Sequence, residues 1–217
     1  MTRGMFIVLE GLDRSGKSTQ VSNLVEKLDQ SGRKAVLRKF PDRTTTIGKM
    51  IDNYLQSKAE LDDRAIHLLF SANRWEIAAA IEDDLARGLD VIADRYAFSG
   101  IAFSAAKGLD FDFCLNPDRG LPLPDLTLFL TLPPEVASAR AAYGTERYET
   151  TEIQRKVREE FKRVKDKVIE IHGEVWEDID ARGSVEEVGR LIWSAIQRKT
   201  HTERPDGIGR LWEKVDK

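Results

Sequence analysis

The chain has 217 residues, 41% hydrophobic and 33% charged, with a formal net charge of −3. That length fits one good-sized domain, and the charge content calls for long amphipathic helices. The slightly acidic balance speaks against broad binding to nucleic acid or an acidic membrane, where a basic surplus would supply the affinity.

Short apolar runs alternate with longer helical patterns, the signature of a parallel sheet flanked by helices. Met5–Glu10 reads as the first strand. A helix from Ser18 to about Ser31 carries Val21, Leu24, Val25 and Leu28 on one face and is closed by Gly32. The second strand, Lys34–Phe40, stops at Pro41. Thr44–Thr46 can cap a helix holding Ile47, Met50, Ile51, Tyr54 and Leu55. Asp62 then caps a helical stretch running to Gly88.

The third strand, Val91–Ala93, delivers Asp94, Arg95 and Tyr96 at its carboxyl end, and a helix of small residues follows. Leu121–Pro124 reads as an extended connector. Leu126–Leu132 is a central strand by its leucine content. A short helix from Pro133 to about Tyr143 comes next. The pattern Ile153, Val157, Phe161, Val164, Val168, Ile171 marks a long amphipathic helix. A weak strand near Glu177–Asp180 and a helix from Ser184 to Arg198 complete an α/β fold of three layers, a five-stranded parallel sheet with helices on both faces. Residues 1–199 form a single domain without internal repeats, and 200–217 form a polar, partly loose tail. Cys114, the one cysteine, reads as a small hydrophobe and suits a reducing compartment. No apolar run approaches a membrane-spanning length, and Glu10 ends the first one too early for a signal peptide. A soluble protein of the cytoplasm is expected, with nuclear or mitochondrial pools left open.

The stretch Gly11 to Thr19, Gly-Leu-Asp-Arg-Ser-Gly-Lys-Ser-Thr, lies between a buried strand and a helix. In that setting a Gly-x-x-x-x-Gly-Lys-Ser/Thr match is a phosphate-binding loop, the P-loop. Gly11 and Gly16 let successive amide groups converge on phosphate oxygens. Lys17 supplies a point charge, and the Ser18 hydroxyl can ligate Mg2+. Asp94, an acid at the end of an apolar strand, reads as the metal-side carboxylate, the alternative being a helix cap. Arg14, Arg43, Arg74, Arg95 and Arg147 outnumber what one triphosphate needs. They suggest a second phosphorylated substrate held by bidentate contacts, unless each is paired with a carboxylate. Asp13 is out of place in a phosphate loop: it could pair with Arg14 or Arg95, or accept a sugar hydroxyl. Phe70, one helical turn before Arg74, could stack on a nucleobase or serve the core. His67, His172 and His201 lack metal-ligand spacing. A GTP-binding switch would want an Asn-Lys-x-Asp motif, and the sequence has none.

Phe-Pro-Asp-Arg at 40–43, Asn-Arg-Trp at 73–75 and Asp-Arg-Tyr-Ala-Phe-Ser-Gly-Ile-Ala-Phe-Ser at 94–104 resemble the motifs of thymidylate kinases in order and spacing. The resemblance runs from about Met5 to Gln197 and implies ATP:dTMP phosphotransfer with Mg2+. It implies that Arg43, Arg74 and Arg95 contact the dTMP phosphate or base, with Phe70 stacking on thymine and Asp13 taking the 3′-hydroxyl. Phe40, Tyr96, Gly100, Phe103, Tyr148 and Gln154 would line the same pocket. Gly11, Asp13, Arg14, Ser15, Gly16, Lys17, Ser18 and Thr19 would serve ATP, with Arg140 and Arg182 near its adenine. Ser18 and Asp94 would hold the metal, and Arg14, Lys17, Asp94 and Arg95 would be the catalytic set. Residues at about 140–150 would form a lid. Arg14 in the P-loop resembles the eukaryotic type, and the family is generally homodimeric.

Overall fold

The computed structural model describes residues 3–133, 136, 147–148, 150–200 and 207–213. Its centre is β1 (Phe6–Gly11), six buried residues without a polar face. Such a strand must be covered on both sides. Phe6 and Val8 pack on one layer, Ile7 and Leu9 on the other, as the two-residue period of a strand requires. Around it stand β2 (Ala35–Lys39), β3 (Asp90–Asp94), β4 (Leu126–Thr131) and β5 (Trp176–Asp180), all parallel in the order β2-β3-β1-β4-β5.

On the Ile7 face lie α1 (Lys17–Gln30), through Val21, Leu24 and Leu28, and α8 (Val185–Thr200), through Val188, Ile192 and Ile196. The Phe6 face takes α4 (Ala78–Ala86), α5 (Ala97–Ala105) and α7 (Thr151–His172), whose Val157, Phe161, Val164 and Val168 are fully or nearly fully buried. A satellite cluster of Ile51, Tyr54, Leu55, Ile66 and Tyr148 joins α2 (Thr46–Leu55) to α3 (Asp63–Trp75). The three layers and the parallel five-stranded sheet are those expected. No helix among the described residues is long and apolar enough to cross a membrane.

Three local features differ from the sequence reading, and a fourth lies where it is not described. The stretch from Asp62 to Gly88 is two helices, broken at Glu76–Ile77. No glycine or proline marks that break, and the end of α3 is fixed from outside: the Trp75 indole donates to the Pro117 carbonyl at 2.8 Å, and Asn73 reaches Asp42 and Thr45. A short helix, α6 (Phe111–Leu115), and a 3₁₀ turn at Asn116–Asp118 were not foreseen, being too brief to show a period. The helix expected between Pro133 and Tyr143 lies almost wholly outside the described residues, as does most of the lid region.

The third difference is within the tail. Residues 207–213 are built into the protein, with Leu211 and Trp212 buried and Leu123 N, Gly120 N and Leu211 N all bonded across the 120–123 segment. Two apolar anchors in a polar stretch carry no periodic signal.

Buried His67 sits between α3 and α5, its Nδ1 2.8 Å from the Ser104 hydroxyl. Burial, with the cations Arg74 and Lys107 nearby, lowers its pKa from 6.5 to about 4. The unfolded chain therefore binds the extra proton between those values, so stability is complete above about pH 6.5 and falls as pH drops toward 4. The full shift is worth about 3 kcal/mol. Denaturant unfolding at pH 7 and pH 5 should show about 2 kcal/mol of that loss in the parent and a smaller one in His67→Gln; equal losses would remove His67 as the cause.

Candidate active site

The carboxyl ends of β1, β2 and β3 open into one cavity of about 670 Å³. Open parallel sheets bind ligands at this edge. The P-loop supplies Asp13, Arg14, Gly16, Lys17, Ser18 and Thr19; β2 and its turn supply Lys39, Phe40, Pro41 and Arg43. Phe70 and Arg74 enter from α3. Asp94, Arg95, Tyr96, Ser99, Gly100, Phe103 and Ser104 arrive from β3 and α5, and Tyr148 closes the far end. The cavity is continuous from the phosphate loop to the aromatic end.

Gly16 caps α1 with φ 92°, a left-handed conformation that glycine adopts at no steric cost. Arg14 (φ 64°) and Arg95 (φ 67°) adopt the same region without that freedom, at a cost of about 1–2 kcal/mol each. Strain of this kind concentrates where a site needs a side chain aimed.

Lys17 is 6% exposed and donates to the carbonyls of Gly11 (3.0 Å) and Leu12 (2.6 Å) and to Ser15 Oγ (3.3 Å). Burial, then the Arg95 charge, lowers its pKa to about 7, against the pull of Asp13, Asp94 and Glu10. A bound triphosphate would restore the ammonium. Binding of Mg-ATP near pH 8 should therefore take up roughly half a proton or more. Calorimetry in buffers of different ionisation enthalpy measures it; a heat independent of buffer would mean the lysine is already charged.

Asp13 is resolved by its neighbours. Arg95 Nη2 donates to Asp13 Oδ1, and Gln154 Nε2 donates to Oδ2 at 2.6 Å. Of the alternatives, the Arg95 pairing is formed, and each carboxylate oxygen keeps a lone pair for a further donor. Gln154 also bonds the Asp13 amide and the Tyr148 carbonyl, tying α7 to the P-loop. Ser18 Oγ donates to Asp94 Oδ2 at 2.8 Å. Phe40 packs on Tyr96, whose hydroxyl donates to the Pro122 carbonyl, and the Arg95 guanidinium lies 5.6 Å above the Phe103 ring.

Other arginines are placed differently from one another. Arg43 reaches Asp52 at 2.7 Å and still lines the cavity. Arg147 does not line it: Glu60 and the Tyr54 carbonyl hold it on the outer side of the α2–α3 region, so it leaves the group of cleft arginines. Arg182 pairs with Asp180 beside a second cavity, bounded by Thr131 and Pro133, and is not brought to the first. Arg140 lies outside the described residues. Gly11 and Ser15 stand behind the loop rather than in the cavity wall.

Sequence reasoning missed Glu10. Its carboxylate is fully buried and accepts from Tyr96 N and Ser99 N, both at 3.0 Å, and from the Ser99 hydroxyl. Burial pushes its carboxyl up, against the pull of Arg95 and these donors. Ser99 Oγ in turn accepts from Arg95 Nη1 at 3.1 Å. An acid closing an apolar strand was the available signal, since such a group must find partners. Asp118, the buried partner of Arg74, had no such signal.

A family model described as thymidylate kinase matches residues 9–192. The chain belongs to the thymidylate kinase family. It is similar to the thymidylate kinase of Schizosaccharomyces pombe, 55% identical over 88% of this chain and 90% of that one. The human enzyme of the same name is 45% identical over 97% of this chain and 98% of its own. Among solved structures, thymidylate kinase from Candida albicans superposes with a TM-score of 0.87 at 41% identity, covering 97% and 99% of the two chains. Its similarity to eukaryotic thymidylate kinases agrees with the position of Arg14. Like the thymidylate kinases it matches, the chain is a phosphotransferase using ATP and dTMP.

Proposed function

We propose that the two substrates of this thymidylate kinase meet end to end at the P-loop, dTMP in the first cavity and the ATP adenine reaching out of it toward Arg182, and that the residues lining that cavity carry the transfer to dTDP. The continuity of the cavity from the P-loop to Phe70 and Tyr148 is the observation that supports this reading. The P-loop amides from Gly11 to Thr19, with Ser15 and Gly16 shaping the turn, receive the ATP phosphates. Arg140 and Arg182 flank its adenine.

Ser18 and Asp94 offer two hard oxygens at the loop's base. That donor set suits Mg2+, which takes one or two protein oxygens and completes its shell with phosphate and water. When bound, the ion neutralises charge on the phosphates. Lys17 and Arg14 stabilise charge on the phosphoryl in flight, and no strong general base is required because the transition state is loose. Arg43 and Arg95 hold the acceptor phosphate, Asp13 accepts from the sugar hydroxyl, and Arg74 meets the base that Phe70 stacks on. Phe40, Tyr96, Gly100, Phe103, Tyr148 and Gln154 shape the pocket around them. Residues 1–199 act as one kinase domain with a lid at about 140–150. The protein works as a homodimer in the cytoplasm.

ADP release with Mg-ATP across dTMP, dUMP, UMP, CMP, AMP and thymidine tests the acceptor end. Strong stimulation by dTMP is expected. If another monophosphate stimulated more strongly, the assignment of Phe70 and Arg74 to thymine would fall.

A further inference from the structure

Arg74 is a buried guanidinium at the wall of the acceptor end, 2% exposed. Three hydrogen bonds fix it to Asp118: Nε to Oδ1 at 3.0 Å, and Nη2 to Oδ1 at 3.0 Å and to Oδ2 at 2.7 Å. This side-on fork uses two of the three nitrogens, and Nη1 is the one the carboxylate does not take. Gly100 admits the guanidinium, since a Cβ there would lie 2.9 Å from both Nη1 and Nη2.

Asp118 is itself held from several sides. Ser71, one turn before Arg74 on α3, donates to Oδ1 at 2.7 Å and to the Pro117 carbonyl at 3.0 Å. Trp75 donates to that same carbonyl. The segment after Asp118 is strapped by the tail: Gly120 N bonds Leu211 O, Leu123 N bonds Gly209 O, and Arg119 donates to Trp212 O at 2.9 Å. Arg210 is paired with Glu82 of α4, and Trp212 packs edge-on against Phe98. A long arginine side chain would otherwise sample many rotamers. Here its counter-charge is fixed by α3, the 3₁₀ turn and the strap together.

We infer that Asp118 is a positioning residue for dTMP recognition, orienting the Arg74 guanidinium toward the nucleobase. This rests on the proposed contact between Arg74 and the base. Asp118 touches no substrate; it acts through Arg74 alone.

A double-mutant cycle tests this, using Arg74→Ala, Asp118→Asn and their combination in the full chain, with KM for dTMP and for ATP measured separately. Asp118→Asn is expected to raise KM for dTMP about tenfold or more, as misplacement of a contact group does, with KM for ATP within twofold. In the Arg74→Ala background the same change should add less than twofold. A merely structural carboxylate would lower the active fraction and the melting temperature without moving KM for dTMP. If Arg74→Ala left KM for dTMP unchanged, the base contact would fall and the inference with it. If Arg74→Ala raised it while Asp118→Asn did not, or if the two effects multiplied, the positioning role alone would be overturned. Should Asp118→Asn not fold, Ser71→Ala removes one bond to the same carboxylate. It should then raise KM for dTMP by about two- to threefold, and only when Arg74 is present; no rise would overturn the inference.

Discussion

Replacing Arg14 with alanine is expected to lower kcat by about 10³, roughly 4 kcal/mol of transition-state stabilisation. KM for ATP should move by no more than a fewfold. The physical reason is where the charge sits. Arg14 lies in the cavity wall beside Lys17 and Ser18, on a backbone at φ 64° that only a fixed loop would retain in a non-glycine residue. Ground-state phosphates already have the loop amides and Lys17. The extra guanidinium matters most when negative charge spreads over the transferring group, and an interaction made only then lowers kcat and kcat/KM together. Arg14→Lys should recover a minor part of the loss, because a lysine provides a point charge without the planar fork. Steady-state kinetics with both substrates varied decides it. Unchanged turnover, or a defect confined to KM for ATP, would remove Arg14 from the catalytic step.

The parts of this site legible in the sequence were those whose chemistry is local. The glycine spacing from Gly11 to Gly16 is a backbone requirement, so it appears in the order of residues. The strands were legible because β1 is apolar on both faces, which only a covered central strand can be. What stayed hidden depends on groups far apart in the chain. Asp13 could be read three ways until the fold brought Arg95, 82 residues away, and Gln154, 141 residues away, to its two oxygens. Asp118 looks like any turn aspartate; its meaning lies in Arg74, 44 residues earlier. The packing of residues 207–213 stayed hidden for a related reason. Leu211 and Trp212 are two apolar residues in a polar run, and the contacts that bury Trp212 come from Phe98 and His172, far off in the chain. Arg147 shares the residue type of the cleft arginines, but Glu60 and the Tyr54 carbonyl hold it elsewhere.

Arg95→Ala should reduce kcat/KM for dTMP by about 10³ while changing KM for ATP far less. A lost charged hydrogen bond accounts for only about 1.5–3 kcal/mol of this. The remainder comes from what the guanidinium leaves behind. Arg95 neutralises Asp13 through Nη2 while Nη1 is anchored on Gly11 O and Ser99 Oγ, both at 3.1 Å. Without it, the Asp13 carboxylate loses that counter-charge in a partly buried loop that must receive a phosphate dianion, and like charges in such a setting repel strongly. Asp13→Asn in the Arg95→Ala background should then cost less than Asp13→Asn alone, the mark of coupled neighbours. Strictly multiplicative effects would dismiss the repulsion. A second readout is independent of turnover. Arg95 is the leading charge holding the Lys17 pKa down, after burial itself. Its removal should raise that pKa and so diminish the proton uptake that accompanies Mg-ATP binding near pH 8. If uptake stayed the same in Arg95→Ala, the electrostatic link between the acceptor arginine and the donor lysine would be lost. If it fell, one guanidinium would set the charge on both sides of the reacting phosphates.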